Sequence, residues 1–203
     1  MFRLYTVLCA GCFLFFQINA NAQSRQFSQA IGGGLFAGSN YLAAGLVYSP
    51  RWNFLRFSDH SALSLGTHIG LGATINDNYN SNTGGNSTSI FMANVPVLLT
   101  WNFGNAATNR AHMKWGFFTG AGYGFQNAAR GVDFIDDEEV GTNQIHISGI
   151  VLSAGLRLPV KNHSLGLRVA YMFNNNQYNP DISGITTIGI DYNVNNVKIR
   201  RSK

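Results

Sequence analysis

The chain has 203 residues, enough for one ordinary domain or two small ones. Charged residues make up 11% and hydrophobic residues 45% of it, whereas a typical soluble domain is about 25% charged. This composition is too apolar for a disordered chain, and no apolar run after the N-terminal region is long enough for a helical membrane span. The formal net charge of +5 has to be located before it can indicate a partner.

Residues 1–22 are predicted to be a cleaved signal peptide. Arg3 supplies the positive start, residues 4–16 form the apolar run, and Ala-Asn-Ala at 20–22 is the cleavage site. The alternative is a lipoprotein signal ending at Cys12, which would leave the apolar residues 13–16 on the mature chain. Because Cys9 and Cys12 both lie in this segment, we expect the mature protein to have no disulfide, thiol catalysis or cysteine-bound metal.

The positive charge is concentrated at the C-terminus. Residues 23–192 contain nine basic and nine acidic side chains, whereas residues 193–203 contain Lys198, Arg200, Arg201 and Lys203 and no acid. The predicted organisation is therefore a signal peptide over 1–22, a neutral domain over 23–192 and a basic extension over 193–203. A basic surface that would bind nucleic acid is not expected.

From residue 27 onward the hydrophobic pattern has a period of two, which predicts β-strands. In the third segment, for example, the odd positions from Leu63 to Ile75 are mostly large and apolar, and the even positions are Ser, Gly, His or Thr. The eight predicted strands lie within residues 27–35, 42–52, 63–75, 91–103, 115–125, 150–158, 165–173 and 182–192.

The connections between these strands alternate in length. Residues 76–88, 126–144 and 174–181 are long, polar links, while the links at 57–61, 104–112 and 159–163 are shorter and the one at 39–40 is very short. Long loops on one rim and short turns on the other are typical of a transmembrane β-barrel. The fold class predicted is all-β, an eight-stranded antiparallel transmembrane β-barrel.

The weaker face of the strands separates this prediction from a secreted soluble β-sandwich, the alternative. A sandwich would expose Lys, Glu, Thr and Arg on that face, but here it carries mostly Gly, Ser, Ala and Asn, which suit a narrow lumen. The charged residues Arg51, Arg157, Arg168 and Asp191 all fall opposite the large apolar side chains. The apolar face is therefore free to contact lipid.

Aromatic residues are predicted to form two belts at the membrane interfaces. On the short-turn rim we expect Trp52, Trp101 and Trp115, joined by Phe54, Phe103 and Tyr192. On the other rim we expect Tyr123, Phe125, Tyr171, Phe173 and Phe91.

A polar network is predicted to fill and rigidify the lumen. Its expected members are Arg51, His68, Asn94, Asn102, Arg157, Arg168 and Asp191. Since an unpaired buried charge is costly, we expect the arginines to pair with Asp191 or with the asparagines 94, 102 and 193.

Other candidate sites have simpler interpretations. Asp133 and the acidic run 136–139 could bind divalent cations, but a solvated loop is the favoured interpretation. The histidines His60, His112 and His163 could be zinc ligands if their turns converged, although repeated turn chemistry explains them. The sequence lacks the local signature of a Ser–His hydrolase, so we expect no catalytic residue. We also expect no metal and no cofactor.

The stretch 94–104, Asn-Val-Pro-Val-Leu-Leu-Thr-Trp-Asn-Phe-Gly, resembles the I-P-L-L-L-K-Y strand of small Bacteroidetes-type outer-membrane β-barrel proteins. These are the porin-family and PorT-like proteins, with OmpX and OmpW as more distant relatives. One departure is that such barrels usually end on an aromatic residue, whereas Tyr192 is followed by Asn193 and the basic extension. Either the last strand continues through a bulge near 195–196, or a periplasmic tail follows it.

These observations together predict an outer-membrane protein exported through its signal peptide. Because eight strands leave a filled lumen, the expected function is a non-enzymatic membrane scaffold or surface interaction protein, and the resemblance implies a PorT-like role in secretion as a narrower version. Expected partners are outer-membrane lipid, lipopolysaccharide, the barrel-assembly machinery during insertion, and secretion or surface proteins. The alternatives are a small solute-specific channel and a membrane-embedded lipid hydrolase.

Overall fold

The computed structural model describes residues 26–39, 41–74, 91–108, 110–111, 114–129, 133–135, 138–140, 144–161, 163–180 and 182–194. The predicted signal peptide, the whole of the loop 76–88 and the basic extension from residue 195 onward lie outside these ranges. In the described part of the chain, no helix is long and apolar enough to cross a membrane.

The described residues form β-strands that are long for a globular protein, where five or six residues are usual. Their bounds are β1 Gln26–Gly38, β2 Tyr41–Ser58, β3 Ser61–Thr67, β4 Ile69–Thr74, β5 Phe91–Gly104, β6 Gly116–Ala129, β7 Asp133–Ile135, β8 Glu138–Val140, β9 Gln144–Val160, β10 His163–Phe173 and β11 Gly184–Asn193.

The long strands close into a ring. β1 pairs with both β2 and β11, and every neighbouring pair in the ring is antiparallel. β3 and β4 both lie between β2 and β5 and form one strand interrupted at His68. The ring therefore has eight strands and no free edge, which confirms the predicted eight-stranded antiparallel barrel.

The register places the large apolar side chains on the outside of the ring. Leu167 pairs with Ile190 and Val169 with Ile188, and all four are between 44% and 56% exposed, while Arg168 between them is 2% exposed. The ten residue steps from Trp115, just before β6, to Phe125 rise roughly 33 Å along the strand. At a tilt of about 40° this spans about 25 Å, the height of the apolar band of an outer-membrane barrel.

The strands extend further on the long-loop rim than the sequence predicted. The segment 126–144 was expected to be one loop, but β6 continues to Ala129, β9 begins at Gln144, and β7 and β8 form a small hairpin between them. The outward residues of this extension include Asn127 and His146, whose polarity removed the period-two hydrophobic signal beyond Phe125.

On the short-turn rim, the link after β5 folds back under the barrel instead of forming a plain turn. Gly104 and Ala106 have φ angles of 75° and 54°, and a Cβ at position 104 would overlap the Trp115 carbonyl oxygen, so glycine is required there. Ala107 and Thr108 are buried as a result, at 0% and 3% exposure. We call residues 104–108 and 110–111 the inturned segment.

The lumen is divided into an apolar and a polar half. The long-loop half contains a cluster of buried side chains: Phe36, Ala43, Val47, Met92, Leu98, Ala128, Ile145, Ile147, Val151, Met172, Ile182 and Ile185. The prediction of a lumen filled mainly by Gly, Ser, Ala and Asn is therefore wrong for this half. The inward positions near the long-loop rim are packed against each other as in a soluble protein core.

The predicted last strand, 182–192, began at Ile182 with its large apolar residues facing outward, and for Ile182 this was wrong. β11 begins only at Gly184, and Ile182 is fully buried in the apolar cluster. The cause is the loop that precedes it, because Asn174 donates hydrogen bonds to the carbonyl oxygens of Asn179 and Ile182 at 2.9 and 2.8 Å. These bonds tie Asn179 and Ile182 to Asn174, directly after β10, and Ile182 packs there into the apolar cluster.

Candidate functional site

The polar half of the lumen lies between the apolar cluster and the inturned segment. Its most buried charged pair is Arg168 and Asp191, with Nη1 and Oδ2 3.3 Å apart. Ser49 Oγ donates to Asp191 Oδ1 at 3.3 Å and lies 2.7 Å from His68 Nδ1. Four strands of the ring, counting β3 and β4 as one, are thereby linked through this group.

A second group joins the polar half to the inturned segment. Arg51 donates through Nη1 to Asn102 Oδ1 at 2.9 Å, and through Nη2 to the Ala106 carbonyl oxygen. Asn53 donates to the Ala107 carbonyl oxygen at 2.8 Å. Because these side chains satisfy the backbone carbonyls of the inturned segment, they hold it across the short-turn mouth.

Arg157 is placed differently from the prediction that it would pair with an acid or an asparagine. Its guanidinium carbon lies 4.5 Å from the centroid of the Phe118 ring, a distance within the range of cation–π contacts. Its Nη1 is buried and has no hydrogen-bond partner among the described residues. Phe118 is the one large aromatic residue at an inward position of β6, and this contact explains it.

Asn94 belongs to the apolar half and not to the main polar network. It donates to Gln126 Oε1 at 2.8 Å, and both side chains are buried. Gln126 was not among the predicted lumen residues, although it has the same inward parity on β6 as Phe118 and Gly122. The predicted lumen residues therefore belong to three hydrogen-bonded groups, and Arg157 packs against Phe118 apart from them.

The predicted belt residues lie on the outer surface at both rims. At the short-turn rim, the Trp101 and Phe117 ring centroids are 5.5 Å apart, and Phe103 lies 5.2 Å from Phe117. Trp115, just before β6, is 63% exposed. The ring centroids of Trp52 and Phe54 are 6.0 Å apart.

The remaining belt residues pair in the same way. Tyr192 contacts the His163 ring at 5.1 Å at the short-turn rim. At the long-loop rim, the ring centroids of Tyr123 and Phe125 are 5.3 Å apart, and those of Tyr171 and Phe173 are 4.7 Å apart. Most of the belt residues therefore contact a neighbouring ring, while Trp115 and Phe91 are exposed on the outer surface.

A cluster of polar side chains that was not predicted from the sequence lies on the outer face just beyond Tyr123 and Phe125. We call Asn127, His146, Ser148, Asn176 and Tyr178 the rim cluster. His146 Nδ1 lies 3.0 Å from Asn127 Oδ1, and Asn176 donates to the His146 carbonyl oxygen at 2.6 Å. The sequence feature that could have predicted the cluster is the position of Asn127 and His146 on the outward side of their strands.

The rim cluster connects the loop 174–180 to the barrel wall. Ser148 Oγ lies 3.4 Å from the Tyr123 hydroxyl and 3.5 Å from Asn176 Nδ2. Tyr178, which is 80% exposed, lies 6.1 Å from the His146 ring. The cluster thus presents amide, imidazole and phenol groups at the upper edge of the apolar band.

No metal centre is formed by the described residues, where no group of three His, Cys, Asp or Glu side chains converges. His163 Nδ1 lies 3.3 Å from the Asn193 carbonyl oxygen. His112 and the side chains of Asp133 and of the acidic run 136–139 lie outside the described part of the chain, so the cation-binding interpretation of that run stays a prediction.

Ser49, His68 and Asp191 are not arranged as a hydrolytic triad. In such a triad the carboxylate orients the histidine, which in turn contacts the serine. Here the Asp191 carboxylate contacts Ser49 directly, and Ser49 is only 7% exposed within the lumen. The geometry therefore suits a structural hydrogen-bond network in the barrel interior.

The fold is similar to solved outer-membrane barrels. Ail, the attachment invasion locus protein of Yersinia pestis, matches with a TM-score of 0.53 and 13% identity over 84% of this chain and 98% of Ail. Neisserial surface protein A matches with a TM-score of 0.47 and 11% identity over 84% of this chain and 97% of that protein. The outer-membrane enzyme PagL matches with a TM-score of 0.46 and 16% identity over 84% of this chain and 99% of PagL. No protein-family model and no curated protein matches the chain. The likeness to Ail shows the fold, an eight-stranded barrel of the outer-membrane type.

Proposed function

We propose that this protein is a non-enzymatic outer-membrane scaffold that contacts lipopolysaccharide and surface partners through its long-loop rim. The observation that carries the proposal is the filled lumen. The apolar cluster crosses the barrel in one half, and the inturned segment, held by Arg51 and Asn53, crosses the short-turn mouth. A barrel filled in this way offers its outer wall and its loops for interaction.

The outer wall supports insertion into a membrane. Along the eight barrel strands the outward positions between the two aromatic belts carry no Asp, Glu, Lys or Arg, and Leu46, Val169 and Ile188 are among the most exposed residues. Such a surface suits lipid and not water. Export through the predicted signal peptide and insertion by the barrel-assembly machinery belong to the same proposal.

The rim cluster supports lipopolysaccharide as a partner. It lies directly beyond the Tyr123–Phe125 pair, at the height where lipid chains give way to headgroups. Its aromatic, amide and imidazole groups can stack on sugar rings and hydrogen-bond their hydroxyl groups. The loop 174–180 is fixed there by the bonds from Asn176 and Asn174, so the groups are preorganised for binding.

Photo-crosslinking in intact cells tests this proposal. Replacing the exposed Tyr178 with benzoylphenylalanine is expected to give an adduct containing lipopolysaccharide or a surface protein. Phe57 is the matched control, since it is aromatic and 61% exposed but lies on the opposite rim. Absence of any adduct at position 178, or equal lipopolysaccharide adducts at both positions, contradicts the proposal.

A PorT-like role in secretion is the narrower form of the proposal and rests on the resemblance of residues 94–104 alone. It predicts that deletion of the gene leaves exported cargo inside the cell, and that the full-length gene restores export. Normal export in the deletion strain would remove this narrower form and leave the scaffold proposal intact.

A further inference from the structure

The polar half of the lumen contains more positive than negative charge. Within the eight barrel strands Asp191 is the one acidic residue, whereas Arg51, Arg157 and Arg168 all point inward. The carboxylate of Asp191 is already engaged, by Arg168 on one oxygen and by Ser49 on the other. The three inward arginines and the single Asp191 therefore leave two positive charges in excess in the described lumen.

Three residues that line one cavity of the polar half each have a buried polar atom without a described hydrogen-bond partner. The atoms are Arg51 Nε, Arg157 Nη1 and Ser164 Oγ. Buried polar groups in folded proteins are almost always satisfied, and an unsatisfied charged group is the costliest exception. All three residues line one cavity of about 40 Å³, which also touches His68 and Asp191.

We propose that this cavity binds one small monovalent inorganic anion of the size of chloride. Two arginines supply positive charge from opposite sides of the ring, since Arg51 is on β2 and Arg157 on β9. Ser164 Oγ, on β10, is a further donor. The anion satisfies these donors and reduces the charge surplus of the lumen.

The size of the cavity limits the ligand. A water molecule needs about 10–15 Å³, so the volume accepts a halide together with a water molecule but not a sugar or a lipid headgroup. The Asp191 carboxylate lines the same cavity, but its contacts with Arg168 and Ser49 offset its repulsion of an anion. This site is independent of the rim cluster, which lies on the outer face at the other end of the barrel.

Halide-dependent stability of the full chain in detergent micelles tests the proposal. Sodium gluconate, whose anion is too large for the cavity, is exchanged for sodium chloride at constant ionic strength. A ligand that binds only the folded state should raise the midpoint temperature by about 3–6 °C when its concentration exceeds the Kd tenfold. Arg157→Met should abolish this response and Arg157→Lys should retain part of it.

Arg56→Met is the control, because Arg56 lies outside the cavity and contacts Asp59 at 4.0 Å. This variant should respond to chloride as the wild type does. Equal midpoints in chloride and gluconate for the wild-type protein, or an unchanged response in Arg157→Met, would overturn the proposal.

A crystal of the wild-type protein grown with bromide tests the site without any variant. Anomalous scattering should give a bromide peak within hydrogen-bonding distance of Arg157 Nη1 and Ser164 Oγ. A cavity filled by water alone under the same conditions would overturn the proposal.

Discussion

Replacing Asp191 with asparagine tests how much the barrel depends on its polar lumen. The substitution keeps the size of the side chain and an oxygen that can accept from Ser49, but it removes the charge that faces Arg168. Arg168 is 2% and Asp191 7% exposed, so Arg168 would stay buried away from bulk water without its charged partner. The variant leaves three inward arginines with no carboxylate within the barrel strands.

The expected cost follows from the geometry of the pair. At the observed 3.3 Å separation of Nη1 and Oδ2, the attraction in an effective dielectric of about 20 is about 5 kcal/mol. Removing one partner of a buried pair usually costs about 3–5 kcal/mol, because the other charge stays buried and unpaired. We therefore expect Asp191→Asn to lower the free energy of unfolding by about 3–5 kcal/mol.

Urea unfolding in detergent micelles, followed by tryptophan fluorescence, measures this loss. The matched control is Asp59→Asn, which breaks the exposed Arg56–Asp59 contact at 4.0 Å and should cost less than about 1 kcal/mol. Adding Arg168→Met to Asp191→Asn should recover much of the stability, since neither charge then remains. Equal losses for Asp191→Asn and Asp59→Asn would refute the reasoning.

Three further predictions concern the wall and the lumen. A Cβ at Gly32 would overlap the Ile190 carbonyl oxygen, whereas the atom nearest to a Cβ at Gly33 is 3.6 Å away. In urea unfolding, Gly32→Ala should therefore lower the free energy of unfolding by about 1–3 kcal/mol, and Gly33→Ala should change it little. Equal losses for the two variants would contradict the packing. Leu152 lies on the outer face at mid-height, so Leu152→Arg should lower the free energy of unfolding by about 2–4 kcal/mol. The control Phe57→Arg, near the interface, should lower it by about 0–1 kcal/mol. An unchanged stability of Leu152→Arg would argue against lipid contact. In planar bilayers the protein should give no stable conductance steps, and regular steps would contradict the filled lumen.

The strands and their lipid-facing sides could be predicted because one rule governs them. A residue such as Val169 must be apolar and its neighbour Arg168 must face inward, and this alternation is visible in the sequence without any knowledge of the neighbouring strands. The number of strands and their closure followed from counting such segments.

Contacts across the lumen could not be predicted in the same way. Alternation shows that Arg157 and Phe118 face inward, but not that they meet, because they come from different strands and the height of each in the barrel depends on register. The division of the lumen also depends on height, so Phe36 and Ser28, which share the inward face of β1, lie in different halves. Ile182 was misassigned because its apolar character suits lipid and core equally.

The central claim is that the chain forms a closed barrel in the outer membrane. Its most direct test is electrophoresis of the outer-membrane fraction with and without boiling, since a closed barrel keeps its compact shape in detergent until heated. The account predicts that the full-length protein is found in that fraction and migrates faster unboiled than boiled. A soluble periplasmic pool with the same mobility before and after boiling would contradict it.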